Sequence, residues 1–236
     1  VIPVLAVPVL VPGRVEAMLA SIDVPVGQTV VIAQGVSIAG AINLPHNIGV
    51  AAAWNLALKV TPDSPWWFIT NDDIVYAAGD LARLVDAMRD AAPRVVTLDG
   101  FAAFGITRAA LERVGYFDEN FVPAYVEDCD YEYRCKLAGV PIVQIPSGLR
   151  HDRSSTIADP HYAAQNNRTY PANVAYFVAK WGGPLRGGET YVTPFAQGDD
   201  PSMWIGDPRR RRDLDWSAQL PLERNLRSSG RARKVA

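Results

Sequence analysis

The chain has little of what stabilises small secreted or metal-folded domains. Its 236 residues hold two cysteines, Cys129 and Cys135. They sit in one acidic, tyrosine-rich stretch, which excludes a disulfide framework and lacks the spacing of a zinc site. They read as incidental thiols in a reducing compartment. Histidine is scarce too, and with three of them none can be singled out on spacing alone. No apolar run is long enough to cross a bilayer. The opening stretch Val1 to Val11 is apolar but broken by Pro3 and Pro8, with no basic flank before it. It reads as a buried parallel strand rather than a leader or an anchor, and the lack of a membrane segment points to the cytoplasm. Internal repeats are absent as well.

What is present is ordinary for a globular protein: 49% hydrophobic and 20% charged residues, enough for a sizeable core. The net charge of −2 hides an asymmetry. From Arg209 to Ala236 nine basic residues face three acidic ones, a balance of +6 against −8 for the rest. An acidic body thus carries a basic tail that includes the run Arg209 to Arg212 and ends near Lys234. Such a tail suits an anionic partner, whether DNA, lipid or an acidic protein surface, or else an arm solvated or folded onto its own body. From about Gly187 onward glycine, proline and charge dominate, the composition of loose chain.

Short apolar runs alternate with helical patterns, which predicts an α/β fold with a mostly parallel sheet flanked by helices. Strands are expected over Val4 to Val11, Gln28 to Ala33, Trp66 to Thr70, Val95 to Leu98 and Val140 to Ile145. Helices are expected over Gly13 to Ile22, Asn47 to Val60 with Asn47 as cap, Leu81 to Met88, Arg108 to Val114 and Glu127 to Leu137, with another from Pro171 to Trp181.

Three constellations carry chemistry. Asn71-Asp72-Asp73 follows an apolar strand, the place where open α/β sheets bind ligands. Two adjacent carboxylates there suit a hard divalent cation bridging diphosphate oxygens, or simply a solvated turn. Glu127-Asp128-Cys129-Asp130 opens a helix. At helical spacing Glu127 and Asp130 share a face while Asp128 points elsewhere. The cluster suits a general base, or acids favoured by the helix dipole. His151 follows a short strand, and a neutral imidazole there could complete a metal site with Asp73, or serve as a plain surface residue. Trp54, Trp66, Trp67 and Trp181 could stack on sugars, with core packing the alternative.

Taken in order, these phrases resemble the family 2 glycosyltransferases of the GT-A fold, in particular the rhamnosyl- and galactofuranosyl-transferase-like branch. The resemblance covers about the first 185 residues. It rests on Val30 to Ala33, Asn47-Ile48-Gly49-Val50 through Asn55, Phe68 to Asp73, Gly115 to Phe121, Tyr125 to Tyr131 with Arg134 and Gly139, His151, and Lys180-Trp181-Gly182. It implies a GT-A-type domain with a Rossmann-like sheet: a nucleotide-sugar-binding half over 1–98, an acceptor half over 99–184 and a basic extension over 185–236. It further implies that Asp73 and His151 hold Mn²⁺ or Mg²⁺ on a UDP-, dTDP- or GDP-sugar. Gln34, Asn47, Asn55, Asn71 and Asp72 would contact the donor, Glu127 and Asp130 would face the acceptor, and Asp128 would be the base of an inverting transfer. The acceptor would be a glycan or a lipid-linked saccharide. Modified DNA or protein, or a binding module without turnover, are the alternatives. The sequence departs from the family at Gln34 and Asn71, where aspartate is usual, and in its opening strand, which lacks the usual Thr/Ser-x-Asn.

Overall fold

The computed structural model describes residues 1–152 and 160–198. The arginine-rich tail, Trp204, Trp216 and the residues Arg153 to Ser155 lie outside the described residues.

Fifteen elements alternate along the described chain: β1 (Ile2–Val9), α1 (Val15–Ala20), β2 (Val26–Gln34), β3 (Ile42–Leu44), α2 (Val50–Val60), β4 (Trp66–Thr70), β5 (Ile74–Val75), α3 (Asp80–Ala87), β6 (Val95–Thr97), β7 (Ala103–Thr107), α4 (Arg108–Val114), α5 (Glu127–Ala138), β8 (Ile142–Gln144), β9 (Arg150–His151) and α6 (Pro160–Trp181). Seven strands form one sheet in the order β3-β2-β1-β4-β7-β6-β8, and β5 pairs with β9 apart from it. All pairs in the large sheet are parallel except those of β7, which runs antiparallel to β4 and β6.

Side-chain alternation along the strands divides the core between the two faces. Val4, Ala6, Trp67 and Ile69 face the helices α2, α4 and α5. Leu5, Val7, Val9 and Phe68 face α1 and α3. Both faces are covered, so the central strands read as nearly unbroken apolar runs. Gly105 sits mid-strand in β7 because Met88 leaves it no room: a Cβ there would lie 2.8 Å from the Met88 sulfur.

A third cluster, from Phe121, Tyr133, Tyr176, Phe177 and Trp181, joins α5 to α6. Beneath it lies a fully buried ionic network. Lys180 donates to Asp118 and Asp130 at 2.8 Å each, and the Arg134 Nε donates to Asp130 at 2.8 Å. The Trp181 indole and the Tyr176 hydroxyl donate to Asp130 and Asp118 respectively. Burial raises the Asp130 carboxyl, but Lys180 and Arg134 outweigh it and hold the group below its ordinary range.

Several expectations need correction. The helix α2 starts at Val50, with Gly49 and not Asn47 as its cap, and Asn47 accepts from Gly49 N–H. Gly49 has φ 95° and a Cβ there would meet the Pro123 carbonyl at 3.2 Å, so only glycine fits. The last helix begins eleven residues before Pro171 and runs through it. From Gly187 to Gly198, where composition suggests loose chain, the backbone folds back on α6: Thr190 and Tyr191 donate to Trp181 O, and Phe195 donates to Lys180 O.

Candidate active site

The carboxyl ends of β1, β2 and β4 open into a cavity of about 540 Å³, within the size range of small-molecule sites. Pro8 and Leu10 from β1 and its exit line it, with Gln34 from β2 and Asn71, Asp72 and Asp73 beyond β4. The β4–β7 ladder extends one step, Asn71 N–H donating to Ala102 O at 2.8 Å, and so delivers the three residues into the opening. Gln34 is buried, and its Oε1 accepts from Ile48 N–H at 3.0 Å. That bond holds the side chain in place and leaves its amide NH₂ as a donor for a ligand.

The β5–β9 pair sets Ile74 opposite His151, and Asp152 N–H donates to Asp73 O at 3.1 Å. This small ladder brings His151 to Asp73 across 78 residues of chain. The Nε2 of His151 lies 3.3 Å from Asp73 Oδ1, and its Nδ1 lies 2.6 Å from Asp99 Oδ2. A carboxylate at Nδ1 fixes the proton there. In the neutral ring the Nε2 lone pair then points at a carboxylate oxygen. That arrangement calls for a positive charge between the two atoms, either a proton or a metal ion. In its absence the imidazole holds a proton more tightly: the hydrogen bond to Asp73, and then that to Asp99, raise it above its ordinary range against the effect of burial. Beside them Asp72 is pushed up to about 7, by burial and by the charge of Asp73, with Arg14 opposing. Its Oδ2 is buried with no partner among the described residues.

The donor set therefore fits Mn²⁺ or Mg²⁺, the ions the sequence implies. Asp73 and His151 offer two ligands, and the carboxylate behind the imidazole is the usual outer-shell partner of a metal-bound histidine. Among the described residues no group of three His, Cys, Asp or Glu could hold a metal ion by itself. An ion shared with substrate phosphates needs only one or two protein ligands.

The helix α5 presents the second half of the site. Tyr125 and Val126, just before it, have φ of 74° and 79°, a conformation that is costly for a β-branched residue. Asn173 on α6 stabilises the turn by donating to Ala124 O and Tyr125 O at 2.9 and 3.0 Å. The turn aims both Glu127 and Asp128 into the cavity. Glu127 is 6% exposed, its Oε2 has no partner among the described residues, and burial followed by the charge of Asp128 pushes it well above the usual carboxylate range. Asp128 is more open, its side chain 30% exposed, and the Arg186 guanidinium lies 3.3 Å from it.

Two candidates fall outside the cavity. Asn55 is fully buried and bonds Phe117 through both its carbonyl and its amide, tying α2 to the loop after α4. Asp130, expected on the face of Glu127, belongs to the ionic network instead. Both were drawn to the site by their place in a motif. Several residues that carry the resemblance support α5 instead: Gly115, Phe117, Asp118, Arg134, Lys180 and Trp181 pack or bond there. Sequence reasoning missed Asp99, whose partner is 52 residues away, and the cavity-lining residues Tyr162, Gln165 and Asn166 of α6. Cys129 and Cys135 are free and buried, with burial pushing both thiols up to about 12, so both are inert.

No protein-family model matches the chain. In sequence it is similar to a galactofuranosyl glycosyltransferase of Leishmania donovani, 28% identical over 144 residues, which is 58% of this chain and 32% of that protein. The chain thus spans about a third of the length of the curated relative it matches. In structure it is similar to glucosyl-3-phosphoglycerate synthase of Mycobacterium tuberculosis in complex with Mn²⁺, UDP-glucose and phosphoglyceric acid. The TM-score is 0.50 at 14% identity, over 73% of this chain and 78% of that one. The same enzyme with Mg²⁺ and UDP gives 0.48 at 15% identity, over 73% and 79%. The fold is therefore GT-A type: a mostly parallel, Rossmann-like sheet flanked by helices. Among the described residues no helix is long and apolar enough to cross a membrane.

Proposed function

We propose that this chain is an inverting, metal-dependent glycosyltransferase of the rhamnosyl- and galactofuranosyl-transferase-like branch of family 2. It moves a sugar from a nucleotide-sugar donor to a hydroxyl of a glycan or lipid-linked saccharide. The observation that carries this reading is one cavity holding both an Asp73–His151–Asp99 chain and the Glu127-Asp128 pair. The first suits a donor diphosphate, and the second suits an acceptor hydroxyl. The similarity to a galactofuranosyl glycosyltransferase, and in fold to a synthase in complex with UDP-glucose, supports it.

Gln34 and Asn71 line the end where β1, β2 and β4 would seat the nucleoside. Asp73 and the Nε2 of His151 would hold Mn²⁺ or Mg²⁺, with Asp99 keeping the imidazole in the tautomer that can ligate. When bound, the ion supplies positive charge to the diphosphate and so favours its departure. Asp128 accepts the proton of the acceptor hydroxyl as its oxygen bonds to the anomeric carbon. The bond from that carbon to the diphosphate oxygen breaks on the opposite face, so one displacement inverts the centre. Glu127, whose carboxyl burial pushes well above the usual carboxylate range, lies beside Asp128 on the acceptor side. Turnover tests this directly. Asp128→Asn should slow nucleotide release from the preferred UDP-, dTDP- or GDP-sugar by roughly a hundred- to ten-thousand-fold. Unchanged release would remove Asp128 from the mechanism.

A further inference from the structure

The indole of Trp54, on α2, is 3% exposed. It lies edge-on to Phe104 and Phe117, with ring centroids 5.2 and 4.9 Å away. The ring is fixed from the protein side, yet it lines the cavity and its Nε1–H has no hydrogen-bond partner among the described residues. Other buried indoles are satisfied: Trp67 donates to Thr61 Oγ1 and Trp181 to Asp130 Oδ1, both at 2.8 Å. A buried donor left without a partner is costly, and Trp54 is part of the cavity wall.

Two acceptors share this condition. Asn166 Oδ1 from α6 and Glu127 Oε2 from α5 are buried, line the same cavity and lack partners among the described residues. Three elements thus offer one donor and two acceptors. No lysine or arginine is among the described lining residues, while five carboxyl groups are. Beside Trp54, away from a metal ion, a phosphate or carboxylate would meet carboxylates with no lysine or arginine in the described lining to offset them. A sugar fits better, because each hydroxyl both donates and accepts.

We propose that Trp54 Nε1–H is a specificity determinant that donates to a hydroxyl oxygen of a neutral sugar, with Asn166 Oδ1 accepting from a hydroxyl of the same ring. This rests on the glycosyltransferase reading and assigns the subsite within it. The hydroxyl belongs either to the transferred sugar or to the acceptor saccharide. A site that recognises a hydroxyl through a buried donor discriminates against analogues lacking it, since the donor is then left unpaired.

The test uses the full chain with Mn²⁺ and compares wild type with Trp54→Phe, which keeps an aromatic six-membered ring but loses the pyrrole part with its N–H. Binding of UDP, UDP-glucose and UDP-galactose is measured by calorimetry, and that of methyl β-galactoside in the presence of UDP. The expected result is unchanged UDP binding and a loss of about 3- to 10-fold for a sugar-bearing probe. A loss for a UDP-sugar assigns the hydroxyl to the donor, and a loss for the methyl glycoside assigns it to the acceptor. Asn166→Ala, on the more open α6, should weaken the same probe, which covers the case of a misfolded Trp54 variant. Monodeoxy analogues add a readout that packing does not move: one of them should bind wild type more weakly, with that difference absent in Trp54→Phe. Equal losses for UDP and UDP-sugars, or no loss for any sugar probe, would overturn the assignment alone. Failure of wild type to bind UDP with Mn²⁺ would instead remove the glycosyltransferase reading, and this inference with it.

Discussion

Replacing Asp99 with asparagine should weaken the metal site without touching a ligand. The carboxylate lies 2.6 Å from His151 Nδ1, a short charge-assisted bond. It fixes the ring so that Nε2 faces Asp73 at 3.3 Å. An asparagine side chain can still accept from Nδ1–H, but it brings no charge to make the imidazole a better donor to the ion. It can also turn its NH₂ to the ring, which favours the other tautomer and spoils Nε2 as a ligand. Losing such an outer partner costs about 10- to 100-fold in metal affinity. The assay is a Mn²⁺ titration of UDP binding by calorimetry for wild type and Asp99→Asn. Half-saturation should move to 10- to 100-fold higher Mn²⁺, and excess Mn²⁺ should restore UDP affinity. An unchanged half-saturation, or a defect that excess metal does not repair, would refute the reasoning.

Glu127→Gln should stabilise the fold while impairing transfer. Because folding raises the Glu127 pKa above its ordinary 4.5, ionisation is easier unfolded, so stability falls as pH climbs from that value towards the folded pKa. The glutamine variant escapes the penalty: its gain, about 0.5–2 kcal/mol, should be small at pH 4 and largest at pH 8 in thermal melts. Equal gains at both pH values would contradict the burial argument. Asp130→Asn should cost about 3–5 kcal/mol, as expected when a buried ion pair loses one partner. Asp130 has the opposite pH signature: its lowered pKa contributes stability above about pH 3.8, lost as pH falls through the folded value. Melting temperatures near the wild type's at pH 7 would show that the network is dispensable.

The parts of the fold written in local pattern were legible in the sequence. Trp66 to Thr70 and Arg108 to Val114 occupy their expected spans because each is an uninterrupted run of its own period. The strand β7 was not legible: Gly105 interrupts its short run of Phe104, Ile106 and Thr107, and Met88, at the end of α3, fills the space above. Pro171 reads as a boundary locally, yet α6 continues through it, its N-terminal half lining the cavity. At the site, chain order identifies motifs but not which way a side chain points. Glu127 and Asp130, three residues apart, serve a cavity and a buried network respectively, on a helix that starts from left-handed residues at Tyr125 and Val126. Asp99 and the orphaned Trp54 N–H become visible only when distant segments meet.

The central claim is that one cavity contains two separable functions, donor binding through Asp73 and His151 and proton removal by Asp128. The direct measurement is nucleotide-sugar binding and nucleotide release, with Mn²⁺ and with EDTA, for wild type, Asp73→Asn and Asp128→Asn. The account predicts that Asp128→Asn binds the donor as wild type does, needs metal to do so, and releases almost no nucleotide. Asp73→Asn should bind it poorly even with Mn²⁺ present. Donor binding indifferent to EDTA and to Asp73→Asn, or full turnover by Asp128→Asn, would contradict it.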